Sequence, residues 1–337
     1  MTTIAVDAMG GDHAPQAEVQ GSLLAVREYG VKVVLVGRPD VIERELKRHH
    51  TGAAPFEIVP AGDVIRMDES PVKALRRKPD ASVRVATCLV RDARADGLVT
   101  AGNTGAAMAA AKMELGVLPG VTRPALASVF PTKRGTAAVM LDVGANVDCP
   151  PEQLHQFAIM GEVYYRVMFN VARPRVGLLS IGEEASKGNE QVRETHRRLK
   201  ESQLGFDFVG NVEGRDLFGG DVNVIVCDGF IGNVALKISE GTAEAILHML
   251  KESLSKHLAS RLGYVFTRQA FEDFRKKVDW SEYGGAPLLG IKGVSIVCHG
   301  SSNANAIKNA IRVAAGFVSG GINEKIEREL ALVAART

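Results

Sequence analysis

The sequence has almost no net charge. Its 337 residues hold 41 Lys and Arg against 39 Asp and Glu, a formal balance of +2. A protein that grips nucleic acid through phosphates needs a strongly basic face. A balance so near zero does not imply that class, no nucleic-acid partner is expected, and any basic role has to be local. Cysteine is scarce too: Cys88, Cys149, Cys227 and Cys298 stand far apart. None forms a C-x-x-C pair, which argues against a zinc site and suits a reducing compartment. Cys227 and Cys298 fall in apolar strands, where a thiol acts as a small buried hydrophobe. No apolar run is long enough to span a bilayer. The N-terminus lacks the basic and apolar regions of a signal peptide, so none is expected.

Familiar catalytic signatures are missing as well. There is no G-x-x-x-x-G-K-[ST] of a P-loop and no clean G-x-G-x-x-G after a strand. No G-x-S-x-G elbow and no H-E-x-x-H occur. The cysteines lack the setting of a catalytic nucleophile.

Against these absences stand a hydrophobic content of 46% and 35 glycines, most at the ends of apolar runs. That distribution marks tight turns between strands and helices. Strands are expected at 4–7, 33–36, 56–59, 97–100, 125–130, 137–143, 176–181, 222–227 and 294–298. Helices are expected from Pro15, over 39–47 and 82–95, from Ala106, from Pro150 and Pro151, and over 304–318. A last charged helix ends near Ala335. Strand, turn and helix in alternation imply an α/β fold with a mostly parallel sheet covered on both faces. One domain is expected over 1–337.

In the helix from Pro150, Leu154, Phe157, Ala158, Gly161, Tyr164 and Met168 repeat at helical spacing, a core or subunit-interface face. From Ile231 to Lys277 the pattern is helical. Leu250, Leu254, Leu258 and Leu262 recur at four-residue steps among Lys256, His257, Arg261 and Arg268. A helical protrusion over 245–280 follows, able to lie on an anionic membrane or on a second subunit.

The polar turns carry the candidate chemistry. They centre on Asp12 and His13, on Asn103 and Thr104, on Asn146, on Lys187 to Asn189, on Gly232 and Asn233, and on His299 to Asn303. In open α/β sheets ligands gather at the carboxyl ends of strands. Helix N-termini there turn N–H groups toward anions. Such turns cradle phosphate or polarise a carbonyl without a protein nucleophile. Lys187 is a poor electrostatic match to a helix N-terminus, which favours a functional role over a surface lysine. Asn233 fits a helix cap as well as a substrate contact. His13 fits a turn-stabilising residue or a proton shuttle. Arg76, Arg77 and Lys78 form a basic cluster, which a solvated face or a docking site explains.

The strings DAMGGDHAP, AGNTGAAMA, LDVGANVD, GEEASKGNE, GNVEGRD, CDGFIGNVALK, SEYGGAPLLG and HGSSNANAIKNAI follow one another in this order. Together they resemble the bacterial phosphate acyltransferases of phospholipid synthesis, the PlsX family, from Ile4 to about Val318. The resemblance implies an α/β/α sandwich similar to phosphate acetyltransferases and isopropylmalate dehydrogenases. It implies transfer of a fatty acyl group from acyl carrier protein to orthophosphate, with no cofactor and no metal. It also implies a cytoplasmic homodimer that associates peripherally with membrane and feeds a glycerol-3-phosphate acyltransferase. Lys187 and Asn233 become the expected catalytic residues. Lys187 would balance charge on phosphate and on the developing oxyanion; Asn233 would donate to the thioester carbonyl or orient phosphate. His13, Asn103, Thr104, Asn146, Ser301 and Ser302 are expected substrate contacts, and Arg76, Arg77 and Lys78 a landing for the carrier protein. Three other readings remain at this stage: a phosphate acetyl- or butyryltransferase using short acyl-coenzyme A, a nicotinamide-dependent dehydrogenase of the same fold, and a non-catalytic membrane adaptor.

Overall fold

The computed structural model describes residues 1–49, 56–202, 205–256, 269 and 280–335. Short runs of Val, Ile, Leu and Ala form the strands, because such side chains pack on a sheet covered from both sides. The first half alternates strictly: β1 (Thr3–Asp7), α1 (Gln16–Tyr29), β2 (Lys32–Gly37), α2 (Pro39–Arg48), β3 (Glu57–Pro60), then α3 (Pro71–Arg77), α4 (Ser82–Arg91), β4 (Gly97–Thr100) and α5 (Thr104–Glu114). A hairpin of β5 (Ala125–Pro131) and β6 (Ala137–Leu141) leads to α6 (Pro151–Met168), β7 (Arg175–Leu179), α7 (Glu190–Glu201), β8 (Asp207–Val212), β9 (Val224–Val226) and α8 (Gly229–Lys256). Then β10 (Ala286–Leu289), β11 (Ser295–Val297), α9 (Ala304–Ser319) and α10 (Ile322–Ala334) complete the described chain.

All these strands join one sheet in the order β3-β2-β1-β4-β11-β10-β5-β6-β9-β7-β8. β1 pairs in parallel with β2 and β4, and β11 joins β4 in parallel, Val297 opposite Thr100. β10 then runs antiparallel to both neighbours, Ala286 opposite Val297 and Leu289 opposite Ala125. The β5–β6 hairpin reverses direction again, and β9, β7 and β8 continue in parallel with β6. The expected mostly parallel α/β sheet is therefore present, with helices flanking it.

Three elements were not expected. β8 and β10 have no counterpart among the expected strands, and α3 lies in the basic stretch around Arg76 to Lys78 for which no helix is expected. The expected face of α6 is buried at Leu154, Phe157, Ala158, Gly161 and Tyr164. A Cβ on Gly161 would meet Leu141 at 2.6 Å and Val224 at 2.7 Å, so only hydrogen lets this helix lie so close beneath β6 and β9. That face belongs to the core of this chain, which corrects the subunit-interface alternative. α8 runs unbroken for 28 residues, about 42 Å at 1.5 Å per residue. Leu258, Leu262, His257, Arg261 and Arg268 lie outside the described residues, as does most of the expected 245–280 protrusion. No helix among the described residues is long and apolar enough to cross a membrane.

Candidate active site

The expected single ring of turns resolves into two groups. The first gathers at the carboxyl ends of β1, β4 and β11. Asp7 closes β1 and is buried; its carboxylate accepts from Thr100 Oγ1 at 2.8 Å and from the Met9 N–H at 3.2 Å. It ties two strand ends together, and burial raises its pKa. A Cβ on Gly10 would stand 2.8 Å from the backbone of Gly102, and the Asp12 N–H donates to the Gly300 carbonyl at 2.8 Å. The three turns thus touch backbone to backbone.

Asn103 caps α5: its Oδ1 accepts from the Ala106 N–H at 3.0 Å, and its Nδ2 donates to the carbonyls of Arg66 at 3.1 Å and Met67 at 3.2 Å. Its carboxamide is therefore spent on holding the turn, whereas Thr104 beside it is exposed. Asn303 caps α9 by accepting from the Ala306 N–H at 2.9 Å. Ser301 Oγ lies 2.8 Å from His299 Nδ1. Ser302 is buried and its hydroxyl has no partner among the described residues. His13 is exposed at the rim.

The second group gathers at the carboxyl ends of β6, β7 and β9. Asp142 is fully buried and accepts from the N–H groups of Leu126 at 3.0 Å, Ala145 at 2.9 Å and Asn146 at 2.7 Å, and from Asn146 Nδ2 at 2.9 Å. Asn146 Nδ2 also donates to the Pro124 carbonyl at 2.8 Å. Asn146, like Asn103, has its amide hydrogens engaged in shaping a turn. Asp228 closes β9; it accepts from the Cys149 N–H at 2.8 Å and, as the first-turn cap of α8, from the Phe230 N–H at 2.8 Å. α8 therefore begins at Gly229, and Asn233 lies one turn inside it. The cap reading of Asn233 gives way: its side chain is exposed and lies 3.4 Å from where a Cβ on Gly144 would stand.

Lys187 is exposed on the loop between β7 and α7. The loop is pinned from below: Asn211 Nδ2 of β8 donates to the Glu184 carbonyl at 2.8 Å, and the same carbonyl accepts the Lys187 N–H at 3.0 Å. Gly188 has φ +91°, the left-handed region, with Val192 packed beneath it. Asn189 caps α7 by accepting from the Val192 N–H at 2.9 Å. The side chain of Gln191 donates to the Cys149 carbonyl and so joins the Lys187 loop to the Asp142–Asp228 turns. No ion pair to a described residue holds the Lys187 ammonium.

β10 and the β5–β6 hairpin separate the groups, since they reverse the strand direction. A twist of roughly 20–25° per step over the five steps from β4 to β9 turns the strands by about 100–125°. The two sets of carboxyl ends therefore do not point in strictly opposite directions, as they would on a flat sheet. One hydrophobic cluster runs beneath both, from Ala106, Ala107 and Ala110 of α5 to Val143 and Cys227, with Ala235 and Leu236 of α8 against it.

Arg76 and Arg77 are exposed on α3. Lys78 is committed: its ammonium meets Glu69 Oε2 at 2.6 Å and the Val64 carbonyl at 2.8 Å. Burial pushes the Cys149 thiol up to about 12 and the Cys227 thiol well above its ordinary value, so neither is poised as a thiolate. Among the described residues no group of His, Cys, Asp or Glu side chains is placed to hold a metal. What the turns offer is fixed donors, the N-termini of α5, α7, α8 and α9, and one lysine, a set suited to anions and developing oxyanions.

Asp7, Asp142 and Asp228, the three buried carboxylates that shape these turns, are not among the site residues expected from the sequence. Their signal was present: each is an Asp at the end of an apolar run followed within two residues by Gly or, in DAMG, within three.

Comparison with known proteins follows the same lines. The family described as fatty acid synthesis protein matches residues 2–325. The phosphate acyltransferase of Koribacter versatilis is 59% identical over 335 residues, 98% of this chain and 93% of that one. That of Geobacter sulfurreducens is 52% identical over 327 residues, 97% of this chain and 94% of that one. Among solved structures, a phosphotransacetylase from Streptococcus pyogenes has TM-score 0.63 and 17% identity over 94% of both chains. EutD phosphotransacetylase from Staphylococcus aureus has TM-score 0.61, also at 17% identity and 94% coverage of both. These two show a shared fold.

Proposed function

The chain belongs to the fatty acid synthesis protein family and is a phosphate acyltransferase; from that premise we propose that it moves a fatty acyl group from acyl carrier protein to orthophosphate, for phospholipid synthesis. The observation that carries the proposal is the 59% identity, over nearly the whole chain, to a phosphate acyltransferase. The family description, fatty acid synthesis, supports a fatty acyl donor.

The chemistry needs no protein nucleophile. Phosphate oxygen attacks the thioester carbonyl, a C–O bond forms and the C–S bond breaks. The proton that hydrogen phosphate gives up ends on the carrier's thiol. Phosphate sits against the turns after β1, β4 and β11, near Thr104, Ser301, Ser302 and the N-termini of α5 and α9, with His13 at the rim. Asn103 and Asn146 shape the walls through their backbone bonds. Lys187 balances charge on phosphate and oxyanion, and Asn233 donates to the thioester carbonyl. Positioning and preorganised charge supply the rate enhancement.

The acidic carrier protein lands on Arg76 and Arg77, with Lys78 contributing less because Glu69 already holds it. The enzyme works in the cytoplasm as a homodimer, partly associated with the membrane that houses a glycerol-3-phosphate acyltransferase. α8 supports both contacts: Ile231, Val234, Ile238, Ile246 and Met249 are 43–63% exposed along it, an unusual row of apolar side chains for a solvent-facing helix.

The deciding experiment measures carrier release from palmitoyl-carrier protein with and without phosphate, beside acetyl-coenzyme A as donor. Phosphate-dependent release from the carrier alone supports the proposal. Turnover of acetyl-coenzyme A alone replaces it with a short-chain phosphotransacylase.

A further inference from the structure

Glu18 lies in the first turn of α1, directly beneath the Gly10–Gly11 turn. It is 1% exposed. A Cβ on Gly11 would collide with its Oε1. Neither carboxyl oxygen makes a well-formed hydrogen bond to a described residue, and the weak pull of its own N–H and that of Gly11 is outweighed by burial. One turn further along α1, the buried Ser22 hydroxyl also lacks a partner among the described residues, as does Ser302 at the start of α9. Buried polar side chains without described partners, Glu18, Ser22 and Ser302, therefore lie near the turns assigned to phosphate.

The titratable groups that act on Glu18 come from three directions: Asp7 at the end of β1, Asp12 in the turn itself, and Cys298 just after β11. Among the described residues none of them is a cation. A carboxylate at this position would have no counter-charge, little water and acids as neighbours, all of which disfavour ionisation. Burial, with Asp7 and Asp12 adding to it, lifts the Glu18 carboxyl to about 8. The same surroundings lift the Cys298 thiol to about 12.

We propose that Glu18 is a specificity-determining residue of the phosphate site: it stands beneath Gly11 as a neutral acid while phosphate is bound, and its ionisation expels the dianion. The proposal rests on the assignment of phosphate to the turns after β1, β4 and β11. A site for a dianion built over buried carboxyls is otherwise a contradiction, because like charges a few Å apart in a poorly solvated floor repel strongly. A proton on Glu18 resolves it. A glutamine, isosteric and always neutral, reproduces the working state.

The test measures the KM for phosphate between pH 6.5 and 9.5 in wild type and Glu18→Gln, with the KM for the acyl donor followed in parallel. The wild-type phosphate KM is expected to rise about ten-fold or more above pH 8, while the donor KM stays level. In Glu18→Gln the rise is lost, and the difference between the two proteins cancels the titration of phosphate itself. Parallel pH profiles in the two proteins overturn the proposal. Calorimetric titration of inorganic phosphate into both folded proteins separates the premises. Binding and turnover that ignore Glu18 sink this inference alone, whereas no phosphate binding and no phosphate-dependent release sink the phosphate assignment with it. Should Glu18→Gln fail to fold, Glu18→Met, also neutral, is measured over the same range, and a retained rise counts against the proposal.

Discussion

Oδ2 of Asp142 accepts from Asn146 twice, from the backbone N–H at 2.7 Å and from the side-chain Nδ2 at 2.9 Å. The pair closes the turn whose Gly144 lies against Asn233. Asn146→Ala removes Nδ2 and leaves Asp142 and the Pro124 carbonyl each short of a donor. The expected loss is about 1–3 kcal/mol of stability, read as a fall in Tm, together with a weaker kcat through displaced Asn233. An unchanged Tm would show that the turn is held without this side chain.

Lys187 is exposed and its ammonium is bound in no ion pair to a described residue, so its removal touches little of the fold. Lys187→Ala is expected to keep the wild-type Tm and lower phosphate-dependent carrier release by roughly 10²–10³-fold, the usual cost of one preorganised oxyanion donor. Lys187→Arg keeps the charge but changes its shape and recovers part of the rate. Full activity in Lys187→Ala transfers the role to Asn233 and the backbone turns.

Gly232 meets the Asp142 carbonyl so closely that a Cβ has no room, and Cys227 Sγ lies 2.9 Å from that same point. Gly232→Ala is expected to lift the start of α8 off β6 and to destabilise by about 1–3 kcal/mol, as overpacking does. Thermal unfolding checks it; a stability equal to wild type would mean that α8 is seated more loosely than these contacts require.

Stability should also fall with rising pH because of Glu18. Its carboxyl is raised from 4.5 to about 8 in the folded chain. Between these values the folded protein keeps a proton that the unfolded chain has lost, so stability drops across that window and levels off above it. Glu18→Gln removes the slope and gains on the order of 3–5 kcal/mol relative to wild type at pH 8 and above, with little difference below pH 4.5. Tm profiles of the two proteins that run parallel from pH 5 to 8 would contradict this.

The apolar row on α8 gives a prediction about assembly. Ile238 is 63% exposed and Met249 56%. A charge at either position interrupts a hydrophobic contact at its centre. Ile238→Glu with Met249→Glu is expected to abolish the proposed dimer contact, read by sedimentation, or the proposed membrane contact, read by flotation with anionic vesicles, and to leave the chain folded. Retention of both behaviours rules α8 out as the contact.

Much of the architecture was legible because it rests on local pattern. Runs such as KVVLVG and the repeating aspartate-glycine turns announce parallel strands and their carboxyl ends. β8 was hidden because DFVGNV interrupts its apolar run with Gly210 and Asn211. β10 was hidden because APLL is four residues long, carries Pro287 and follows two glycines. Only pairing with β11 and β5 makes a strand of it, and that pairing is non-local. The start of α8 was misplaced for a related reason. Gly229 and Gly232 argue against a helix by propensity, yet both are required by close approach to the Asp142 turn. At the site the polar types were visible, but not their use. Asn103 and Asn146 look like substrate contacts in the sequence, and the structure spends their amides on backbone carbonyls. Glu18 looks like an ordinary helix-surface acid, and only the packing of three turns above it reveals its burial.

β10 and β11 also set the order in which the chain can be finished. They form the seam between β4 and β5, yet they come from residues 286–297, long after both flanking strands. A ribosome delivers the two halves first and the seam nearly last. Until then β4 and β5 each present an open edge of unpaired N–H and carbonyl groups, the surface on which chains join the wrong neighbour. Completion of the sheet is therefore a late event of synthesis, and chains stalled before Leu289 leave the ribosome with two exposed edges and no closed fold.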